Sequence, residues 1–124
     1  MEILAGRLLV RPVDMERSLA FYRDVLGLAI AREFPGGTVF FLGGGFLELS
    51  GRSSGGSAAV ELWLQVRDLD AAARDLAGHV VREPRLEPWG LYEMWIADPD
   101  GTRIVLVQVP PDHPIRRDQR GLPD

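Results

Sequence analysis

The chain has 124 residues, a formal net charge of −4 and no cysteine. That length supports one compact domain, or two small halves sharing a core, and its 46% hydrophobic and 26% charged residues suit a globular chain rather than a disordered one. The acidic balance argues against nucleic acid as a partner, because phosphate recognition needs a concentrated basic surface, and the missing cysteines exclude disulfides and thiolate metal sites.

No apolar run approaches the ~20 residues of a membrane span, and no basic segment precedes an apolar signal core at the N-terminus. The expectation is a cytoplasmic protein with no membrane partner. Only two histidines occur, His79 and His113. One chain therefore cannot assemble a histidine-rich metal centre.

Residues 3–13, ILAGRLLVRPV, read as a first strand. Asp14 follows where a helix N-cap belongs, with Glu16 adding favourable negative charge in the first turn. Met15, Leu19, Tyr22 and Leu26 then fall on one stripe at helical spacing, with Ser18 and Val25 beside it, and Gly27 suits the C-terminal cap. Phe21 and Tyr22 read as core. Three strand-like runs come next, at 28–34, 38–43 and 46–50.

SGRSSGGS, residues 50–57, is a flexible polar linker. The same grammar then repeats. VELWLQV (60–66) reads as a strand, Asp68 as an N-cap with Asp70 behind it, and Leu69, Ala72, Ala73 and Leu76 as a helical stripe closed by Gly78. Strand-like runs follow at 79–84, 92–98 and 102–109, the last entered through the turn Asp98-Pro99-Asp100-Gly101. The order is β-α-β-β-β twice, an α+β chain with an internal repeat. His79 reads as part of a helix cap. Residues 110–124 form a Pro-rich polar tail without periodicity, in which His113 is expected to be solvated.

DMERSLAFYRDVLGL, followed by PWG and DPDGTRIVL, resembles the vicinal oxygen chelate superfamily, which includes glyoxalase I, extradiol dioxygenases, fosfomycin-resistance enzymes and bleomycin-binding proteins. The likeness covers residues 3–109. It implies one domain over 1–109 built from two βαβββ modules, 3–50 and 58–109, joined by a linker at 51–57. It also implies curled mixed sheets that enclose a cavity, and a homodimer. Function does not follow from fold alone.

In the superfamily's enzymes the first and last strands of each module supply four metal ligands. The matching positions here are Arg7, seven residues before Asp14; Glu48, within FLELS; Glu61, seven before Asp68; and Val105, second in IVL. Glu48 matches that pattern outright and Glu61 is chemically compatible. Arginine and valine are not ligands. A guanidinium ~4 Å from a cation costs about 4 kcal/mol at an effective dielectric near 20, roughly doubled for a divalent ion. No metal and no other cofactor is therefore expected. Two readings of Arg7 stay open: it bridges Glu48 and Glu61 in the ion's electrostatic place, or it belongs to a buried ion-pair cluster that fills the cavity.

Strand alternation extends the candidate surface. Leu9 and Arg11 go with Arg7, while Leu8 and Val10 pack under the helix. Phe46 goes with Glu48, Trp63 and Gln65 with Glu61, and Val107 with Val105. The EPWG segment brings Trp89 near the cavity mouth by resemblance. Which of Glu93, Met94 and Trp95 face inward is left open by alternation. Trp63 is the tryptophan expected to stack on a ligand.

The leading expectation is a metal-free protein that captures a small organic ligand, aromatic or charged, with the sign of the charge open. The first alternative is a lyase or isomerase using Glu48 or Glu61 as general base, with or without a divalent metal. The second is a dimeric accessory domain with a filled cavity.

Overall fold

A computed structural model describes residues 1–4, 7–53 and 60–113. The chain divides into two compact units, Met1–Ala59 with Asp98–Gly101, and Val60–Ala97 with Thr102–Asp124.

The first unit runs β1 (Leu8–Val10), α1 (Met15–Ala20), a π-helical turn (Phe21–Val25), β2 (Ile30–Phe34), β3 (Gly37–Leu42) and β4 (Gly45–Ser50). Its sheet has the order β1-β4-β3-β2, with β1 parallel to β4 and the other pairs antiparallel. The second unit repeats the plan with β5 (Leu62–Gln65), α2 (Leu69–Asp75), β6 (Val80–Leu86), β7 (Tyr92–Ala97) and β8 (Arg103–Gln108), in the order β5-β8-β7-β6. These are the two βαβββ modules read from the sequence. Each sheet is mixed and open, and neither closes on itself, so "curled" describes them only loosely.

Both helices start on the expected caps. Asp14 accepts from the Arg17 N–H at 3.2 Å and Asp68 from the Ala71 N–H at 3.1 Å, each from an extended backbone. The first helix departs from a plain α pattern after Ala20. The Leu26 N–H donates to the Phe21 carbonyl at 2.9 Å, five residues back, so the turn is wider. The neighbours Phe21 and Tyr22 are both buried, together with Ser18, while Met15, Leu19 and Leu26 are half-buried. Ser18, Phe21 and Tyr22 keep the three- and four-residue spacing of one helical face, so the wider turn shows in the hydrogen bond rather than in the buried stripe.

Register places Phe40 between its partners Ile30 and Leu47, and Leu47 beside Leu8. Tyr22 packs on this face, with its ring centroid 6.3 Å from Phe40. Leu47 and Leu49 are fully buried there. In the second unit Leu62, Ile104, Leu106, Met94 and Ile96 form the matching core, and α2 packs on β6, β7 and β8.

The first strand is shorter than residues 3–13. Beyond its C-terminal end Pro12 has no N–H to donate, and residues 5–6 on the other side lie outside the described residues. Pro84 lies inside β6, which tolerates it as an edge strand with irregular register between Arg82 and Arg85.

The Asp98-Pro99-Asp100-Gly101 turn belongs to the first unit. Asp98 Oδ2 accepts from the buried Tyr22 hydroxyl at 2.8 Å, and Oδ1 accepts from the Asp100 N–H at 2.9 Å. Asp100 Oδ2 in turn accepts from the Val13 N–H at 3.1 Å. Gly101 takes φ +85°, a left-handed value that favours glycine.

Most of the linker, 54–57, and the tail from 114 onward lie outside the described residues. His113 is not simply solvated: it is half-buried, its Nε2 3.0 Å from the Trp89 carbonyl oxygen. Among the described residues no helix is long and apolar enough to cross a membrane.

Candidate functional site

In the first unit, Leu9 pairs with Glu48 across the parallel β1–β4 ladder, and Glu48 pairs with Val39 on β3. Paired residues share a face, so this row lies on the side of the sheet away from Phe40 and Leu47. Phe46 and Phe41 form the next row, their ring centroids 5.6 Å apart, and Arg32 and Phe34 extend the face onto β2.

Glu48 is engaged at both oxygens. Oε1 accepts from Arg7 Nη1 at 2.9 Å and Oε2 from the Ser50 hydroxyl at 2.8 Å. Arg11 Nη1 closes the chain on the same serine, 3.3 Å from Oγ and 3.5 Å from the carbonyl oxygen. The Ser50 hydrogen bond, then the bond and charge of Arg7 and the charge of Arg11, hold the Glu48 carboxyl below its ordinary range against the opposing effect of burial. Gly51 makes room for Arg11: a Cβ there would lie 2.7 Å from Arg11 Nη1.

The second unit presents an analogous face. One row reads Trp63–Val105–Trp95–Arg82, and the next Gln65–Val107–Glu93–Arg85. Trp95 and Glu93 therefore share the face of Trp63, while Met94 is buried on the other side. Trp95 is not a free stacking platform, because the guanidiniums of Arg82 and Arg103 lie 4.1 and 4.0 Å from its ring. It packs against the buried cluster of Leu91, Val105, Val107 and Val109.

Trp63 and Trp89 remain exposed. The Trp89 indole donates at 2.7 Å to Glu93 Oε2, which anchors that ring over a buried carboxylate. Glu87, also buried, takes Arg85 Nε at 3.0 Å and lies 2.6 Å from Arg82 Nη1. Its carboxyl is held low by Arg85 first and by Arg82 next.

Glu61 does not wait on Arg7 for a counter-ion. Arg103, at the start of β8 beside β5, reaches Glu61 Oε1 at 3.1 Å within the same unit, and the pair is exposed. Nor is the Arg7–Glu48 pair deeply buried, since the arginine side chain is 42% exposed. Each carboxylate thus has its own arginine.

Ser50, Arg82 and Arg103 were not singled out from the sequence, and Glu93 was named with its facing left open. Ser50 was accessible by parity, two residues from Glu48 on the same strand. A separate open groove of about 570 Å³ runs beside α1, lined by Met15, Leu19, Phe34 and Thr38 among others, and does not include Arg7 or Glu48.

This donor set does not fit a metal centre. Arg7 is permanently protonated, Val105 carries no donor, and Glu48 and Glu61 are each engaged with arginine. Among the described residues no group of three or more His, Cys, Asp or Glu converges.

Two mixed sheets, each with the βαβββ connection and with charged residues on the face away from the helix, define the class. A family model described as the Glyoxalase/Bleomycin resistance protein/Dioxygenase superfamily matches residues 5–106, and the chain belongs to that superfamily. It is 32% identical over 119 residues to a probable lactoylglutathione lyase of Synechocystis sp., covering 81% of this chain and 91% of the relative.

Among solved structures, a protein of unknown function from Agrobacterium tumefaciens superposes with a TM-score of 0.73 at 26% identity, covering 89% of this chain and 95% of the other. A lactoylglutathione lyase from the same organism gives 0.65 at 24%, with 82% and 90% covered. A superfamily member from Sphaerobacter thermophilus gives 0.70 at 24%, with 86% and 98% covered. At the identity of these last two, the likeness speaks to fold alone.

Proposed function

We propose that this chain is a small-molecule-binding member of its superfamily that works without a metal ion. The observation that carries this reading is the double engagement of Glu48, with Arg7 on one oxygen and Ser50 on the other. In the first unit Arg7, Leu9, Arg11, Phe46 and Glu48 would meet an organic guest. In the second, Trp63, Gln65 and Trp89 offer aromatic and polar contacts beside Val105 and Glu61. A homodimer located in the cytoplasm is part of the same proposal, testable by light scattering and cell fractionation.

The experiment is a thermal-shift screen of small organic molecules. A ligand at 100 times its Kd adds ~2.7 kcal/mol of stability, a readily visible shift. If no chemical class moves the melting point, the binding reading falls and the accessory-domain alternative takes its place.

The name of the Synechocystis relative favours a second reading, a lyase or isomerase. Glu48 is poorly suited to act as its base, because its carboxyl is held low rather than raised toward neutrality. Glu61 is the remaining candidate base. Lactoylglutathione lyase activity, assayed with and without added Zn²⁺ or Ni²⁺, decides between the readings: turnover abolished by Glu61→Gln supports the enzyme.

A further inference from the structure

We infer that the helix-free face of the first sheet selects an organic anion: a flat apolar molecule carrying a carboxylate or comparable group, held by Arg7 and Arg11. The inference rests on the small-molecule reading and adds the sign of the ligand's charge.

The charge inventory of that face carries it. Arg7, Arg11 and Arg32 are set against the single carboxylate of Glu48. The face is therefore cationic although the whole chain has a formal net charge of −4. Glu48 has little left to offer a cation, since both its oxygens already accept short hydrogen bonds.

The arginines have more to give. Each guanidinium has five N–H donors in a planar fork, and the bonds made to Glu48 and Ser50 use only Nη1 of Arg7 and Nη1 of Arg11. The two forks are brought together by one hydrogen-bonded chain, Arg7–Glu48–Ser50–Arg11, so their unused edges can address one anionic group. Gly51 permits this placement of Arg11.

The apolar half of the site lies alongside. Phe46 and Phe41 pair across β4 and β3 and are 39% and 49% exposed, and Leu9, next to Glu48, is 44% exposed. Exposed aromatic and aliphatic surface against a cationic fork matches a ligand with a flat body and an anionic head. The Arg32 guanidinium lies 5.1 Å from the Phe34 ring and adds positive potential at the far side.

Three probes of one shape test this by calorimetry and thermal shift: 2-naphthoate, neutral 2-naphthamide and 2-naphthylmethylammonium. Naphthoate is expected to bind at least tenfold more tightly than the amide, with the ammonium weakest and added salt eroding the difference. Arg11→Gln should cost naphthoate about tenfold in affinity and the amide, which can accept only a neutral hydrogen bond, clearly less. Arg7→Gln makes the same comparison should Arg11→Gln not fold.

Preferential binding of the ammonium or the amide overturns the inference and leaves the small-molecule reading standing. Naphthoate affinity indifferent to both arginine variants overturns it too, since the anion then sits elsewhere. Failure of all three probes overturns the inference, and failure of the broad screen as well takes the small-molecule reading with it. If Phe46→Ser turns a dimer into monomers and no probe binds, the face is an interface between copies, which also overturns it.

Discussion

Replacing Tyr22 by phenylalanine removes one hydroxyl from the fully buried interior of the first unit. That hydroxyl donates at 2.8 Å to Asp98 Oδ2, and Asp98 is itself buried. Phenylalanine keeps the ring contacts with Phe21 and Phe40, so packing is nearly unchanged. A hydrogen bond to a charged group contributes about 1.5–3 kcal/mol, and its loss leaves a buried acceptor less well satisfied. For a chain of this size the melting temperature should fall by roughly 5–15 °C. Urea denaturation should show a lower midpoint with an unchanged slope.

The control is Tyr92→Phe, whose hydroxyl meets Asp70 at 2.7 Å on the exposed surface and should matter by no more than about 0.5 kcal/mol. The pH dependence gives a second signature. Burial first, and the neighbouring Asp98 charge next, push the Tyr22 phenol up from its ordinary value. The folded state then holds the proton above about pH 10, where the unfolded chain releases it, so wild-type stability falls as pH rises through that range. Tyr22→Phe should lose that alkaline slope. Equal, small effects of the two tyrosine substitutions would refute the reasoning.

Gly51→Ala combines a left-handed φ of +71° with a Cβ 2.7 Å from Arg11 Nη1; it should cost roughly 1–2 kcal/mol in urea denaturation and weaken naphthoate binding by displacing Arg11. Asp14→Ala and Asp68→Ala each remove a helix cap and should each cost about 0.5–2 kcal/mol by the same assay. Glu48 should titrate below the ordinary carboxylate range in a carboxyl-resolved NMR experiment. Its contribution to stability is present above that range and is lost as pH falls through the lowered folded-state value. Ser50→Ala should move the midpoint upward more than Arg11→Gln does, because the serine hydrogen bond is the largest cause of the shift.

The fold was legible because its signals are local and repeated. Asp14 and Asp68 each cap a helix through their own side chain, and the turn at Asp98–Gly101 needs only its four residues. The π-helical turn was not legible, since nothing in a stripe of apolar residues says where the backbone will reach five residues back, as the Leu26 N–H does to the Phe21 carbonyl. Site legibility followed the same division. Parity along β1, β4 and β5 follows from the chain itself, and it placed Leu9 with Arg7 and Trp63 with Glu61. Counter-ion choice depends on which strands become neighbours. Arg103 reaches Glu61 only because β8 flanks β5. The role of Glu93 was left open because it depends on an indole four residues earlier folding back over it.

The central claim is that arginine and serine occupy the carboxylate that relatives in this superfamily give to a metal ion. Elemental analysis of the untagged chain, followed by calorimetric titration with Zn²⁺, Ni²⁺, Mn²⁺ and Mg²⁺, tests it directly. Substoichiometric metal and no saturable binding heat are predicted, in wild type and in Glu48→Gln alike. One tightly held ion per chain, lost on Glu48→Gln, would contradict it.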